Sequence, residues 1–109
     1  MRSITTTLFA LASLLGFSQG GPCDQLQAGF DADVFPQGVQ FSNATIGAGD
    51  TTTFIWTFGD GSTSGDPQPF HTYAQAGTYE ACLKVITQFT GNNGQVITCE
   101  SIHCAPVVI

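Results

Sequence analysis

The groups in this 109-residue chain that could do chemistry are two histidines, eight carboxylates and four cysteines. A hydrolase needs a nucleophile, a base and a group that orients the base. Gly61-Ser62-Thr63-Ser64-Gly65 has the glycine frame of a nucleophile elbow, but Thr63 stands at its centre and no helical pattern follows. Asp60 and Asp66 could form a carboxylate pair for glycoside hydrolysis, yet both stand in turn sequences, where Asp bonds its own backbone. Gly59-Asp60-Gly61 lacks the third glycine and the following helix of a phosphate cradle. For zinc, only His103-Cys104 approaches ligand spacing. For calcium, Asp50, Asp60 and Asp66 are weak candidates: they lie in oxygen-rich loops, without a dense Asp-x-Asp-x-Asp run. The expectation is a chain that is not an enzyme and carries no cofactor.

Charge narrows the partners. With Lys+Arg at 2 and Asp+Glu at 8, no basic patch can be assembled from Arg2 and Lys84, which excludes a nucleic-acid binder that works by charge. Hydrophobic residues make up 42% of the chain, enough to argue against wholesale disorder. With 9% charged residues, the surface must be wetted by Thr, Ser, Asn, Gln and Gly, a composition common among secreted β-proteins.

Residues 1–20 read as a secretory signal peptide. Arg2 supplies the positive start, Leu8 to Phe17 an apolar run, and Ser18-Gln19-Gly20 the small residues of a cleavage site. That run is too short to span a bilayer, so no membrane span is expected in the mature chain. Residues 21–28 then form an N-terminal segment and 29–109 a single domain, secreted or at the cell surface. All four cysteines lie after residue 20, and an even number in an exported chain suggests two disulfides.

The elements that would position these groups are strands. Thr53-Phe54-Ile55-Trp56-Thr57-Phe58 places Phe54, Trp56 and Phe58 on one face, and Val39-Gln40-Phe41-Ser42 also alternates. Thr78 to Val85 places Tyr79, Ala81, Leu83 and Val85 opposite Glu80, Cys82 and Lys84. A period of two is the pattern of half-buried strands. Turn clusters separate them at Gly47-Ala48-Gly49-Asp50, Gly59-Asp60-Gly61-Ser62, Gly65-Asp66-Pro67, Ala76-Gly77 and Gly91-Asn92-Asn93-Gly94. Several short strands with turns at this spacing predict an all-β sandwich or barrel.

The most specific run is Trp56-Thr57-Phe58-Gly59-Asp60-Gly61, followed by His71-Thr72-Tyr73 and by Gly77-Thr78-Tyr79 opening the next strand. Together with Val39 to Asn43, these residues resemble the PKD (polycystic kidney disease) domain family over about residues 29–109. The resemblance implies an immunoglobulin-like β-sandwich of about seven antiparallel strands. It implies a non-catalytic module of exported proteins that contacts an extracellular protein or glycan. It also implies structural roles for Trp56, Phe58, Gly59, Asp60, Gly61, His71, Tyr73, Gly77 and Tyr79. Some PKD modules bind calcium, which keeps the three aspartates in view. Tyr79 resembles the tyrosine corner of such sandwiches, although it stands three residues before Cys82 rather than two.

Four cysteines permit three pairings. If Asn92-Asn93-Gly94 closes a three-residue hairpin loop with Gly94 left-handed, Gly91 faces Gln95 and Cys82 faces Cys104. Facing residues lie within disulfide range, which favours Cys82–Cys104 with Cys23–Cys99; Pro106 or a bulge near Cys99 would shift the register and favour another pairing. The antibody-type bridge between sheets is not expected, because the segment Val39–Asn43 holds no cysteine. Asn43-Ala44-Thr45 fits an N-glycosylation acceptor, and Asp50-Thr51-Thr52 a bacterial O-glycosylation acceptor. Two roles follow. One is a recognition module whose contact residues would include exposed aromatics such as Phe70 or Phe89. The other is a structural spacer or a fragment of a larger surface protein such as an adhesin or exported hydrolase; the ending Val107-Val108-Ile109 fits either a closing edge strand or a cut gene model. The sequence sets no oligomeric state.

Overall fold

The computed structural model describes residues 22–109, so the expected signal peptide over residues 1–20 lies outside the described residues. After a 3-10 turn at Pro22–Gln25 come seven strands: β1 (Phe30–Phe35), β2 (Gly38–Asn43), β3 (Thr51–Thr57), β4 (Thr63–Ser64), β5 (Phe70–His71), β6 (Thr78–Thr90) and β7 (Val96–Val108). All pair antiparallel, in one sheet of order β1-β2-β5 and another of order β4-β3-β6-β7. The chain is therefore the immunoglobulin-like β-sandwich that the sequence predicts.

Alternation decides what faces inward. On β6, Ala81, Leu83, Val85 and Thr87 are buried while Glu80 and Gln88 are exposed. Trp56, Phe41, Phe58, Leu83, Val39 and Val85 fill the space between the sheets and are almost completely covered. Phe30 meets the Trp56 indole edge-on at 5.2 Å between ring centroids, and Phe41 meets it tilted at 5.3 Å. Burial of an aromatic of this size removes about 150–250 Å² from water, which makes Trp56 the central filler.

The long hairpin holds the expected register without a bulge. Gly91 donates to the Gln95 carbonyl at 2.6 Å, Gly94 is left-handed at φ 81°, and the ladder runs from Thr90 opposite Val96 to Thr78 opposite Val108. Cys82 consequently faces Cys104 and is bonded to it within the larger sheet. Cys23 is bonded to Cys99 across a sequence separation of 76 and anchors the 3-10 turn to β7. No disulfide joins Cys23 to Cys82, and no cysteine among the four is free.

Two features go beyond the sequence reading. β1 forms although its Asp31 and Asp33 lower strand propensity, and only its Phe30 and Ala32 reach the core. Leu26 and Ala28, in the segment 21–28 expected to precede the domain, also lie in the core cluster.

Candidate functional site

The motif residues gather where β3 ends and β5 and β6 approach it. Phe58 follows β3 with the inward parity of Trp56, and Gly59 then turns the chain against β6. A Cβ on Gly59 would stand 2.7 Å from the Glu80 carbonyl oxygen, and its φ is +87°, so only glycine fits. Asp60 starts the turn: its Oδ1 accepts from the Ser62 backbone N–H at 3.0 Å. Its Oδ2 lies 2.7 Å from His71 Nε2, and because an ionised carboxylate only accepts, His71 donates. The side chains of His71 and Asp60 are 15% and 21% exposed, so protein covers most of the pair. The His71 hydrogen bond, helped by the Ser62 N–H, holds the Asp60 carboxyl below its ordinary value against a smaller opposing effect of burial.

Aromatic rings continue this unit. His71 stacks flat on Phe58 at 4.1 Å and meets Tyr73 edge-on at 4.6 Å, and Tyr73 stacks on Tyr79 at 4.3 Å. The Tyr73 hydroxyl donates to the Phe58 carbonyl at 2.7 Å. Burial pushes the Tyr73 phenol up to about 12, with the negative charge of Asp60 adding to the effect. Tyr79 donates to the Gln75 carbonyl, four residues upstream, at 2.8 Å, which is the bond of a tyrosine corner. Trp56 Nε1 donates to the Asp66 carbonyl at 2.7 Å, and Ser64 Oγ accepts from the Asp66 N–H at 3.1 Å, so the loop after β4 is tied to the core aromatic.

These contacts leave the motif little chemical freedom. Asp60 and His71 form an acceptor–donor pair, but among the described residues no serine hydroxyl bonds His71 to complete a nucleophilic triad. The three weak calcium candidates do not converge. Asp50 precedes β3 while Asp60 and Asp66 follow it, and a seven-residue strand is about 20 Å long. Among the described residues, no group of three or more His, Cys, Asp or Glu is placed to hold a metal ion. Asn43 Oδ1 accepts from the Thr45 N–H at 3.0 Å, and Thr52 bonds Thr87 at 2.9 Å, so both glycosylation patterns contribute bonds to the fold.

The two expected contact aromatics separate. Phe70 is 51% exposed on β5, whereas Phe89 shares the inward parity of Leu83, Val85 and Thr87 and packs on the core, which removes it as a contact residue. Sequence reasoning missed Phe35, 50% exposed at the end of β1, and the buried Thr87 hydroxyl. Thr87 Oγ1 accepts from Gly49 N–H at 2.7 Å and donates to the Thr51 carbonyl at 3.1 Å. The Phe30-x-Ala32-x-Val34 alternation before Phe35 is a strand signal weakened by Asp31 and Asp33, and the Thr87 network depends on a loop–strand approach that no local pattern reveals.

The outer face of the smaller sheet carries Phe35 and Phe70 around Gly38. A Cβ on Gly38 would stand 2.8 Å from the Phe70 ring and 2.7 Å from the His71 carbonyl, so the missing side chain lets Phe70 lean over β2. Gln40 Nε2 donates to the Phe41 carbonyl at 2.9 Å and to the Gln68 carbonyl at 3.2 Å, fixing the approach to β5.

The PKD domain family model matches residues 25–100. Among solved structures, the PKD1 domain of the Vibrio cholerae metalloprotease PrtV is similar with a TM-score of 0.58 and 24% identity, over 78% of this chain and 96% of that one. The PKD1 domain of Vibrio anguillarum Epp is similar with a TM-score of 0.52 and 25% identity, over 75% of this chain and 92% of that one. No curated protein matches the chain.

Proposed function

Because the chain belongs to the PKD domain family, we propose that it is a non-catalytic recognition module, exported by its residues 1–20, that contacts an extracellular protein or glycan. PKD domains are immunoglobulin-like, non-catalytic modules typical of larger extracellular proteins. Two disulfides fit such a location. The observation that carries the reading is the division of the aromatic side chains. Trp56, Phe58, His71 and Tyr73 pack and hydrogen-bond inside the fold, while Phe35 and Phe70 stay half exposed on one outer face. Exposed rings on a rigid sheet offer contact area at little entropic cost.

The motif itself is structural in this reading: Trp56, Phe58, Gly59, Asp60, Gly61, His71, Tyr73, Gly77 and Tyr79 shape one end of the sandwich and contact no ligand. A glycan array together with capture from extracellular protein mixtures tests the proposal, using the oxidised chain with Phe35→Ser/Phe70→Ser as control. Binding that the control loses is expected. No binding at high micromolar concentration, or binding equal in the control, overturns it and leaves the spacer role.

A further inference from the structure

The sandwich has four strand edges, and they are not equally protected. β4 and β5 are edges of two residues each, too short to template a partner; beyond β4 the side of β3 over Thr51–Ile55 is also unpaired, but it carries no charged side chain to select one. β7 is thirteen residues long, but the Cys23–Cys99 bond and the Ala28 N–H donated to Ser101 Oγ at 3.0 Å hold the N-terminal segment against it, and Pro106 interrupts its donors. β1 is different. It is six residues long, lacks proline, and among the described residues pairs with β2 alone.

Its free edge has defined polarity. Phe41, opposite Ala32, sends its own N–H away from β1 to the Pro69 carbonyl at 2.9 Å. Ala32 and Phe41 are therefore a non-hydrogen-bonded pair, and by alternation Phe30, Ala32 and Val34 point their N–H and C=O groups out of the sheet. Asp31, Asp33 and Phe35 then share the outer face, about 7 Å apart in sequence order. Both aspartates are exposed. After residue 20 the only basic side chain is Lys84, which sits on the other sheet paired with Glu100 at 3.3 Å.

We propose that the open edge of β1 takes up an extended, lysine- or arginine-bearing polypeptide segment as an added strand, its alternate basic side chains lying over Asp31, Asp33 and the Phe35 ring. Charge complementarity selects this occupant. Opposite charges on facing positions of neighbouring strands stabilise the pairing, and a cation is drawn to an aromatic face. A second copy is disfavoured by the same rule, because two β1 edges would oppose aspartate to aspartate in a chain already rich in carboxylates. Main-chain bonds supply affinity and the alternating side chains supply specificity, as in other strand-addition sites. The inference rests on the recognition reading and names one class of partner for it.

The test uses the oxidised full chain and a synthetic nine-residue peptide with Lys at alternate positions and Thr between them, followed by fluorescence anisotropy. Two companion peptides carry Glu for Lys, or N-methyl groups on the amides of one edge. The expected result is saturable binding of the Lys peptide, no binding of the Glu peptide, and at least tenfold weaker binding of the N-methylated one. Asp31→Asn/Asp33→Asn should weaken the Lys peptide about tenfold and reduce its salt dependence. Equal binding of the N-methylated peptide overturns strand addition, since charge alone then holds the ligand. Unchanged affinity in the double variant, or its dimerisation on a sizing column with no gain or loss of peptide, also overturns the proposal, because the aspartates then only prevent self-pairing. If the Lys peptide fails while extracellular ligands are still captured in a Phe35- and Phe70-dependent way, the β1 inference falls and the recognition reading stands.

Discussion

The motif end and the outer face of the smaller sheet are built from the same kinds of residue used in opposite ways. At the motif end Trp56, Phe58 and Tyr73 are buried, and the indole N–H, the Tyr73 hydroxyl, the His71 Nε2 and both Asp60 oxygens have partners inside the protein. On the outer face Phe35 and Phe70 are half exposed, and Asp31 and Asp33 face solvent. Trp56, Phe58 and Tyr73, which mark the family, are thus among the side chains least able to meet a ligand. A shared motif reports the scaffold, and in the proposed reading recognition falls to side chains outside the motif.

That contrast breaks most sharply at Trp56. Trp56→Ala removes the filler between the sheets and the anchor of the Asp66 carbonyl, and should cost about 3–5 kcal/mol. A domain of this size has about 5–15 kcal/mol in total, so the variant should lose a large part of its cooperative unfolding transition in guanidinium. A loss below about 1 kcal/mol would mean that the sheets are held together without the indole.

Tyr73→Phe keeps the ring and deletes one hydrogen bond, leaving the buried Phe58 carbonyl without its donor. The expected cost is about 1–2 kcal/mol by the same titration. The phenol also predicts an alkaline limit. Its folded value is raised to about 12 from the ordinary 10, so its contribution is fully present below about 10 and is lost as pH rises towards 12. Stability measured between these limits should fall in the native chain more steeply than in Tyr73→Phe. Parallel curves would show that the hydroxyl is not protected.

Legibility in the sequence follows the same division. The strands β3 and β6 and the Cys82–Cys104 pairing could be read because alternation and a three-residue turn are local rules: once Gly94 closes the loop, Cys82 and Cys104 must meet. The Cys23–Cys99 bond was favoured only as the remaining pair. β1 has only a weak local signature because Asp31 and Asp33 are poor strand formers, and the strand exists through its pairing with β2 and the packing of Phe30 on Trp56. Phe89 and Phe70 could not be told apart from composition, since exposure depends on parity within strands whose ends were unknown. The Asp60–His71 bond, between residues eleven apart in sequence, required the fold itself.

Asp60 sharpens the comparison at acid pH. A carboxyl held below its ordinary value of 3.8 contributes stability that is present above that value and is lost as pH falls through the folded one. Asp60→Asn should cost about 1 kcal/mol near neutrality. The difference between native and variant should shrink as pH drops below 4.

The smallest expected effect is the most informative about function. Phe70→Ser removes a ring that is 51% exposed and leans over a glycine instead of filling the core. Stability should change by less than about 1 kcal/mol, within the range of surface substitutions. Ligand capture should fall far more than that change in stability can explain, and the ratio of the two losses separates a contact residue from a packing residue. At Trp56 both quantities should collapse together because the scaffold is gone. At Phe70 binding alone should respond. A Phe70→Ser chain that loses stability like a core variant would erase the distinction between the two aromatic sets, and with it the reason for looking for ligands on the outer face.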